Sequence, residues 1–241
     1  MDKAKIYENE SLKIIQDKNN KTMYKIIFNH KDGNPYLIRS LIKSRLIQGG
    51  TVTDDYTMLQ FKAQNVMSFQ KFIEKQNMQR VLSINLAAKM VADLTRQLEY
   101  LISKENHIII GYSPENIIII DEDKFAFLGS DLIVEIDTEG KEFVTISATF
   151  NVTDFFASPE ILKINVLPYS VHYKTSYFSL GCLLLYALTG NDDFYKEYVI
   201  DGNCTKIKEY LNKLPFKNTK LYWLLSRCLV EEPQERHILF I

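Results

Sequence analysis

The hydrophobic pattern of the chain changes period near residue 65. Residues 6 to 28 hold two short apolar runs, SLKIIQD and KTMYKIIFN, parted by the polar Asp17-Lys18-Asn19-Asn20-Lys21, which predicts a hairpin whose turn lacks glycine. After the turn cluster His30-Lys31-Asp32-Gly33-Asn34-Pro35, the run YLIRSLIKSRLI puts Leu37, Leu41, Ile42 and Leu46 on one face of a helix, with Gly49-Gly50 as its terminator. β-branched and aromatic residues between Thr51 and Phe61 predict two more short strands.

From Met67 the spacing is helical. SFQKFIEKQ predicts a short amphipathic helix from near Ser68, and Ser83 opens a long one in which Leu86, Met90, Val91, Leu94, Leu98, Leu101 and Ile102 form an apolar stripe. Lys104-Glu105-Asn106 ends it. Two strands follow, Ile117 to Ile120 and a second one up to Gly129, joined by the acidic turn Asp121-Glu122-Asp123. Residues 130 to 158 show little periodicity, carry acids from Asp131 to Glu139, and end in Phe155-Phe156; such a long connection with weak structure predicts a functional or mobile segment. Helices are then predicted at Pro159 to Lys163, at Tyr177 to Thr189, around Asp192 to Tyr198 and at Leu221 to Val230.

Composition narrows the function classes. Charges nearly cancel, 29 basic against 30 acidic residues, so no global field draws the chain to nucleic acid or to an anionic membrane. Cys182, Cys204 and Cys228 stand far apart without a CxxC pair, which predicts reduced thiols in an intracellular, cytoplasmic protein and no metal. MDKAKIYENE has no apolar core of a signal peptide, and the most apolar run, Tyr177 to Thr189, falls short of the roughly 20 residues that span a bilayer. Richness in Ile, Lys and Asn is the composition of an AT-rich genome such as that of a virus or parasite.

Four motifs then stand in a recognisable order. Pro114-Glu115-Asn116 before Ile117 to Ile120 resembles the K-P-E-N-I-L-I stretch of protein kinases, and Ser158-Pro159-Glu160 the A-P-E motif closing their activation segment. Ser176 to Cys182 resembles the D-x-W-S-L-G-C start of their central helix, and Cys228-Leu229 with Glu232-Pro233 and Arg236 their terminal C-L-x-x-D-P-x-x-R. The resemblance covers roughly residues 65 to 241 and implies an α+β, protein-kinase-like two-lobed fold. It implies a reduced, sheet-rich N-lobe in residues 1–64 and a mainly helical C-lobe in 65–241.

The same alignment removes the reaction. Kinases catalyse by positioning ATP and stabilising charge, so each positioning part is needed. No glycine precedes Gly33, so the phosphate-covering loop is missing. Lys25 and Lys43 are the candidate phosphate-contacting lysines, yet no Glu lies between Glu10 and Glu74 to hold either. The His-Arg-Asp triplet falls on Ile109-Ile110-Gly111, which leaves Gly111 in place of the catalytic base, and the loop Lys falls on Ser113. The metal-binding Asp falls on Phe127, which offers no oxygen ligand. Asn116 is then a vestigial metal ligand that fixes its loop, with Asp131 as a remote substitute. Ser176 replaces the Asp that in the family anchors the catalytic loop, as though no loop remained to anchor. Glu160 and Arg236 match the family's buried ion pair.

These residues predict a pseudokinase with no cofactor and no nucleic-acid or membrane partner. It would bind a protein, such as an active kinase or its substrate, as regulator, scaffold or decoy. Asp192, Asp193, Phe194, Tyr195 and Tyr198 are the candidate partner surface. Two alternatives stand beside it: a divergent ATP-dependent kinase using Asn116, Asp131 and Lys25 or Lys43, and an interaction module resembling the kinase non-catalytic C-lobe domains.

Overall fold

The computed structural model describes residues 4–31, 33–76, 81–138, 142–200 and 206–238; Cys204 and Glu139 lie outside them. The chain is α+β, built on small antiparallel sheets. Strands β1 (Ala4–Glu8), β2 (Leu12–Gln16), β3 (Met23–Phe28), β4 (Thr51–Val52) and β5 (Met58–Lys62) form one five-stranded sheet in the order β1-β2-β3-β5-β4. Helix α1 (Pro35–Lys43) is inserted between β3 and β4. Alternate residues of the strands, including Ile14, Tyr24, Ile26, Leu59 and Phe61, pack with Leu37, Ile38 and Leu41 of α1 in a first core.

The structure adds one element to the sequence reading of this part and corrects another. Strand β1, a short edge strand, gives no recognisable pattern on its own and exists by pairing with β2. Helix α1 also stops well before Gly49-Gly50. Asn34 caps it by accepting from the Leu37 N–H at 2.8 Å, and Pro35 suits the first helical position. Arg45 then takes a left-handed conformation (φ 62°), and the Leu46 and Ile47 N–H groups both donate to the Leu41 carbonyl. This fold-back turns Leu46 and Ile47 into the core rather than along a helical face.

The second core is larger. Around it lie β6 (Val66–Ser68), α2 (Phe69–Gln76) and α3 (Ile84–Tyr100), capped by Ser83 and continued by a π-helical turn, Leu101–Glu105. Then come β7 (His107–Ile109), β8 (Ile117–Ile120), β9 (Lys124–Phe127), β10 (Ile133–Glu135), β11 (Phe143–Ile146), α4 (Pro159–Leu162) and β12 (Tyr169–His172). Helix α5 (Thr175–Thr189), a π-helical segment (Tyr195–Ile200), α6 (Ile207–Asn212) and α7 (Lys220–Cys228) complete the chain. Among the described residues no helix is long and apolar enough to cross a membrane.

Residues 130 to 158 are more ordered than their sequence suggests. Strand β10 pairs with β7, and β11 pairs with β12. Both partners come from elsewhere in the chain, so no local periodicity announces them.

The hairpin β8–β9 joins the two cores. Ile117, Ile119, Phe125 and Phe127 belong to the larger, while Ile118, Ile120, Ala126 and Leu128 belong to the smaller. Burial on both faces explains a run of four isoleucines without alternation. The outer edge of β9 is closed by α3: Asp93 Oδ2 accepts from the Phe125 N–H at 3.0 Å. Gln97 Oε1 accepts from the Phe127 N–H at 2.9 Å, and its Nε2 donates to the Phe127 carbonyl at 3.0 Å. The Gln97 amide thus stands in for a neighbouring strand and leaves no unpaired edge there. The same Nε2 donates to Ser40 Oγ at 3.1 Å, which ties α1 to α3.

Candidate functional site

The segment after β7 turns through Ile110, Gly111 and Tyr112, all buried. Gly111 has no side chain because another group takes the space. A Cβ added to it would overlap the Phe155 ring, and even the ring's Cγ would stand only 2.7 Å away. Phe155 is itself held from both sides in sequence. Phe150 packs edge-on against it at 6.2 Å, and the Phe156 N–H donates to the Tyr112 carbonyl at 2.9 Å.

The loop backbone is anchored from α5. Tyr112 donates its N–H to Ser179 Oγ at 2.6 Å. The reading of an unanchored loop is therefore corrected: Ser176 only bonds back to the Tyr173 carbonyl, and the anchor sits one turn further along the helix. Sequence comparison at the motif position could not find Ser179, because the contact depends on which face of α5 meets the loop.

Ser113 is buried, and its Oγ accepts from the Glu115 N–H at 3.3 Å, opening the short 3₁₀ turn Pro114–Asn116. From above, the β1–β2 turn clasps this loop. Tyr7 donates its hydroxyl to the Glu115 carbonyl at 2.7 Å, and Asn9 Nδ2 donates to Tyr7 Oη at 3.1 Å and to Asn116 Oδ1 at 3.4 Å. Asn9 Oδ1 accepts from the Ser11 and Leu12 N–H groups, an Asx turn that shapes the clasp. Ser11 Oγ donates to Asp131 at 3.4 Å. Burial pushes the Tyr7 phenol up to about 12, so the hydroxyl stays a donor at any physiological pH. Neither Asn9 nor Tyr7 belongs to a motif; the polar Asn9-Glu10-Ser11 turn was the only signal of them.

Phe127, Asn116 and Asp131, which the sequence resemblance sets against a metal site, make the following contacts. Phe127 is buried, edge-on to Tyr112 at 5.2 Å. Asn116 faces Asn9 and crowds Gly129, where an added Cβ would lie 2.8 Å from Asn116 Nδ2 and 2.5 Å from Phe127 Cζ. Asp131 is exposed on a separate 3₁₀ turn, Ser130–Leu132. Among the described residues no three His, Cys, Asp or Glu side chains are grouped to hold a metal ion.

The two candidate lysines are not drawn in. Lys25 lies on β3 between Tyr24 and Ile26, hence on the sheet face opposite α1, and Lys43 is exposed at the end of α1. The ion pair that holds α1 is instead Arg39 with Glu105: Nε to Oε1 at 2.7 Å and Nη2 to Oε2 at 2.6 Å. The Tyr100 hydroxyl donates to Glu105 Oε1 at 2.9 Å, and the Arg39 guanidinium holds the Glu105 carboxyl below its usual range. His107 stacks on Tyr36 of α1 at 3.8 Å.

Glu160 and Arg236 meet at the base of the larger core. Arg236 is fully buried and bonds Glu160 through both Nη atoms, at 2.5 and 2.8 Å. It also donates Nε to the Val230 carbonyl, Nη1 to that of Lys174 and Nη2 to that of Glu231, so all five N–H groups are used. Its guanidinium lies over the Phe178 ring, 4.9 Å from the centroid.

The acidic-aromatic surface requires correction. Phe194 and Tyr195 are core residues, 1% and 6% exposed, and Tyr198 packs on Tyr210 at 5.3 Å. The Tyr195 hydroxyl both accepts from the Ala157 N–H and donates to its carbonyl. Of the proposed patch only Asp192, paired with Lys196 at 2.9 Å, and the exposed Asp193 offer charge to solvent. What adjoins it is a cavity of about 590 Å³ with Phe155, Tyr186 and Ile200 among its apolar walls and Glu115, Asp154 and Asp192 among its acids.

No family model matches the chain, and no curated protein is significantly similar to it.

Proposed function

We propose that this chain is a pseudokinase, a protein-kinase-like fold that acts by binding another protein as regulator, scaffold or decoy. The observation that carries this reading is the occupation of the aligned catalytic positions by packing. Phe155 covers Gly111, Phe127 is a core residue, and the Asn9–Tyr7 clasp closes on Glu115 and Asn116. The five-stranded sheet with one inserted helix ahead of a mainly helical part supports the division into 1–64 and 65–241. Lys25, turned away from α1, speaks against a divergent phosphotransferase.

The cavity beside Glu115 is where the partner would sit, its walls favouring an apolar segment and Glu115 and Asp154, which remain beside the Asp192–Lys196 pair, a basic residue. Titration with magnesium-ATP, followed by thermal unfolding and by transfer of labelled γ-phosphate, is expected to give no stabilisation and no product. A magnesium-dependent rise in Tm with labelled product overturns the reading. For the partner, cross-linking in the native cell should yield an adduct that Ile200→Glu, on the cavity wall, abolishes.

A further inference from the structure

The near-neutral total charge conceals an uneven distribution. Between residues 206 and 227 the chain carries Lys206, Lys208, Lys213, Lys217, Lys220 and Arg227 against a single acid, Glu209. All five lysines are exposed, and among the described residues none pairs with a carboxylate. For Lys208 on α6 and Lys220 on α7 the buried side of each helix sets this exposure. Helix α6 turns Ile207 and Leu211 into the core, and α7 turns Leu221, Leu224, Leu225 and Cys228. Lys220, Trp223 and Arg227, at i, i+3 and i+7, are left as a stripe on the outer face of α7.

Trp223 is the only tryptophan of the chain and is 52% exposed, although core positions stand on either side of it. The platform beneath is braced. Thr219 caps α7 by accepting from the Tyr222 N–H, and the Tyr222 hydroxyl donates to Asn212 Oδ1 of α6 at 2.8 Å. Glu209, the one acid of the run, lies on α6 and not on the α7 stripe.

We infer that this face docks the protein on an anionic lipid surface. The chemistry separates that occupant from others. The exposed cations of the run are lysines, compact point charges suited to a diffuse negative sheet, whereas phosphate or carboxylate forks call for arginine, and the one arginine of the run, Arg227, is half-buried. Single-stranded nucleic acid is bound on successive aromatic platforms, and here there is one ring. A groove that would seat an acidic peptide is not among the three principal cavities of the described residues at this face, since none of them is lined by a residue of 206–227. An exposed indole flanked by cations is the arrangement found at the level of lipid headgroups. A polybasic face with one amphipathic anchor combines two weak membrane signals into reversible binding. This inference stands independently of the pseudokinase reading.

The whole chain can be tested by sedimentation with phosphatidylcholine vesicles, with and without phosphatidylserine. Emission of Trp223 reports on this face alone. Binding to the serine-lipid vesicles, a shift of emission to shorter wavelength and reversal by added salt are expected. Each lysine near such a surface is worth about fivefold in partitioning, so Lys213→Gln/Lys217→Gln/Lys220→Gln should weaken binding roughly 100-fold. The triple variant should keep the unfolding curve of the parent. Equal sedimentation with both vesicle types, or binding that the triple variant leaves unchanged, overturns the inference. So does salt-sensitive binding to a single-stranded oligonucleotide or to polyglutamate without vesicle binding.

Discussion

Replacing Gly111 by alanine places a methyl group inside the volume of the Phe155 ring. The added carbon would overlap Cδ2 and Cε2 and stand 2.7 Å from Cγ. The ring cannot simply tilt away, because Phe155 is 4% exposed and the next residue is tied to Tyr112 through its N–H. Overpacking of this kind costs about 1 to 3 kcal/mol. For a chain of this length that lowers Tm by about 2 to 4 °C per kcal/mol. Phe155→Ala alone costs about 3 to 5 kcal/mol through lost burial and the cavity it leaves. In the double variant the methyl group enters that cavity, so Gly111→Ala should cost nothing further or recover part of the loss. Urea unfolding of the four proteins gives the coupling, expected at about 1 to 3 kcal/mol. A single Gly111→Ala variant within about 0.5 kcal/mol of the parent, or strict additivity in the double, would refute the assignment of this space to Phe155. Gly111→Asp meets the same ring, so on the proposed pseudokinase reading its carboxylate is expected to supply no base and assays of phosphoryl transfer to give no product.

Gln97→Leu strips the edge of β9 of its amide and leaves the buried Phe127 N–H and carbonyl unpaired, at about 1 to 3 kcal/mol per group; hydrogen exchange at Phe127 should accelerate. Glu160→Ala strands the fully buried Arg236 and should cost about 3 to 5 kcal/mol in urea unfolding, whereas Glu160→Met/Arg236→Met should cost less than that single change. Arg39 lowers the Glu105 carboxyl below its unfolded value, so its contribution to stability is complete above the ordinary carboxylate range and disappears as pH falls through the lowered value. Glu105→Gln should therefore flatten the acid limb of the stability curve, and an unchanged limb would assign that limb to other groups.

Much of the element order was legible in single stretches. Ser83 announced α3, the two apolar runs announced β2 and β3, and the turn cluster ending at Pro35 announced that α1 follows it, because caps and turns are satisfied by residues a few positions away. The end of α1 was misread, since Arg45 in a left-handed conformation carries no compositional mark. Strands β10, β11 and β12 were invisible for a different reason: their hydrogen-bond partners lie 25 or so residues away in sequence, and none alternates cleanly. The aromatic half of the candidate surface failed on geometry. A helical segment rich in Phe and Tyr looks the same in sequence whether its rings face a partner or the core.

The sequence by itself determined the chemistry each position offers: Gly111 has no side chain, Phe127 no oxygen ligand, and no Glu lies between Glu10 and Glu74. It did not determine what packs against these positions. Phe155 over Gly111, Ser179 holding Tyr112, and Asn9 reaching Asn116 join residues 44, 67 and 107 positions apart. The same holds for Lys220 and Trp223, whose exposure follows from burying the other side of α7. Absence of a functional group is a property of one residue. Occupation of a volume, or the sharing of a face, is a property of the packed chain, set by which hydrophobic surfaces leave water together.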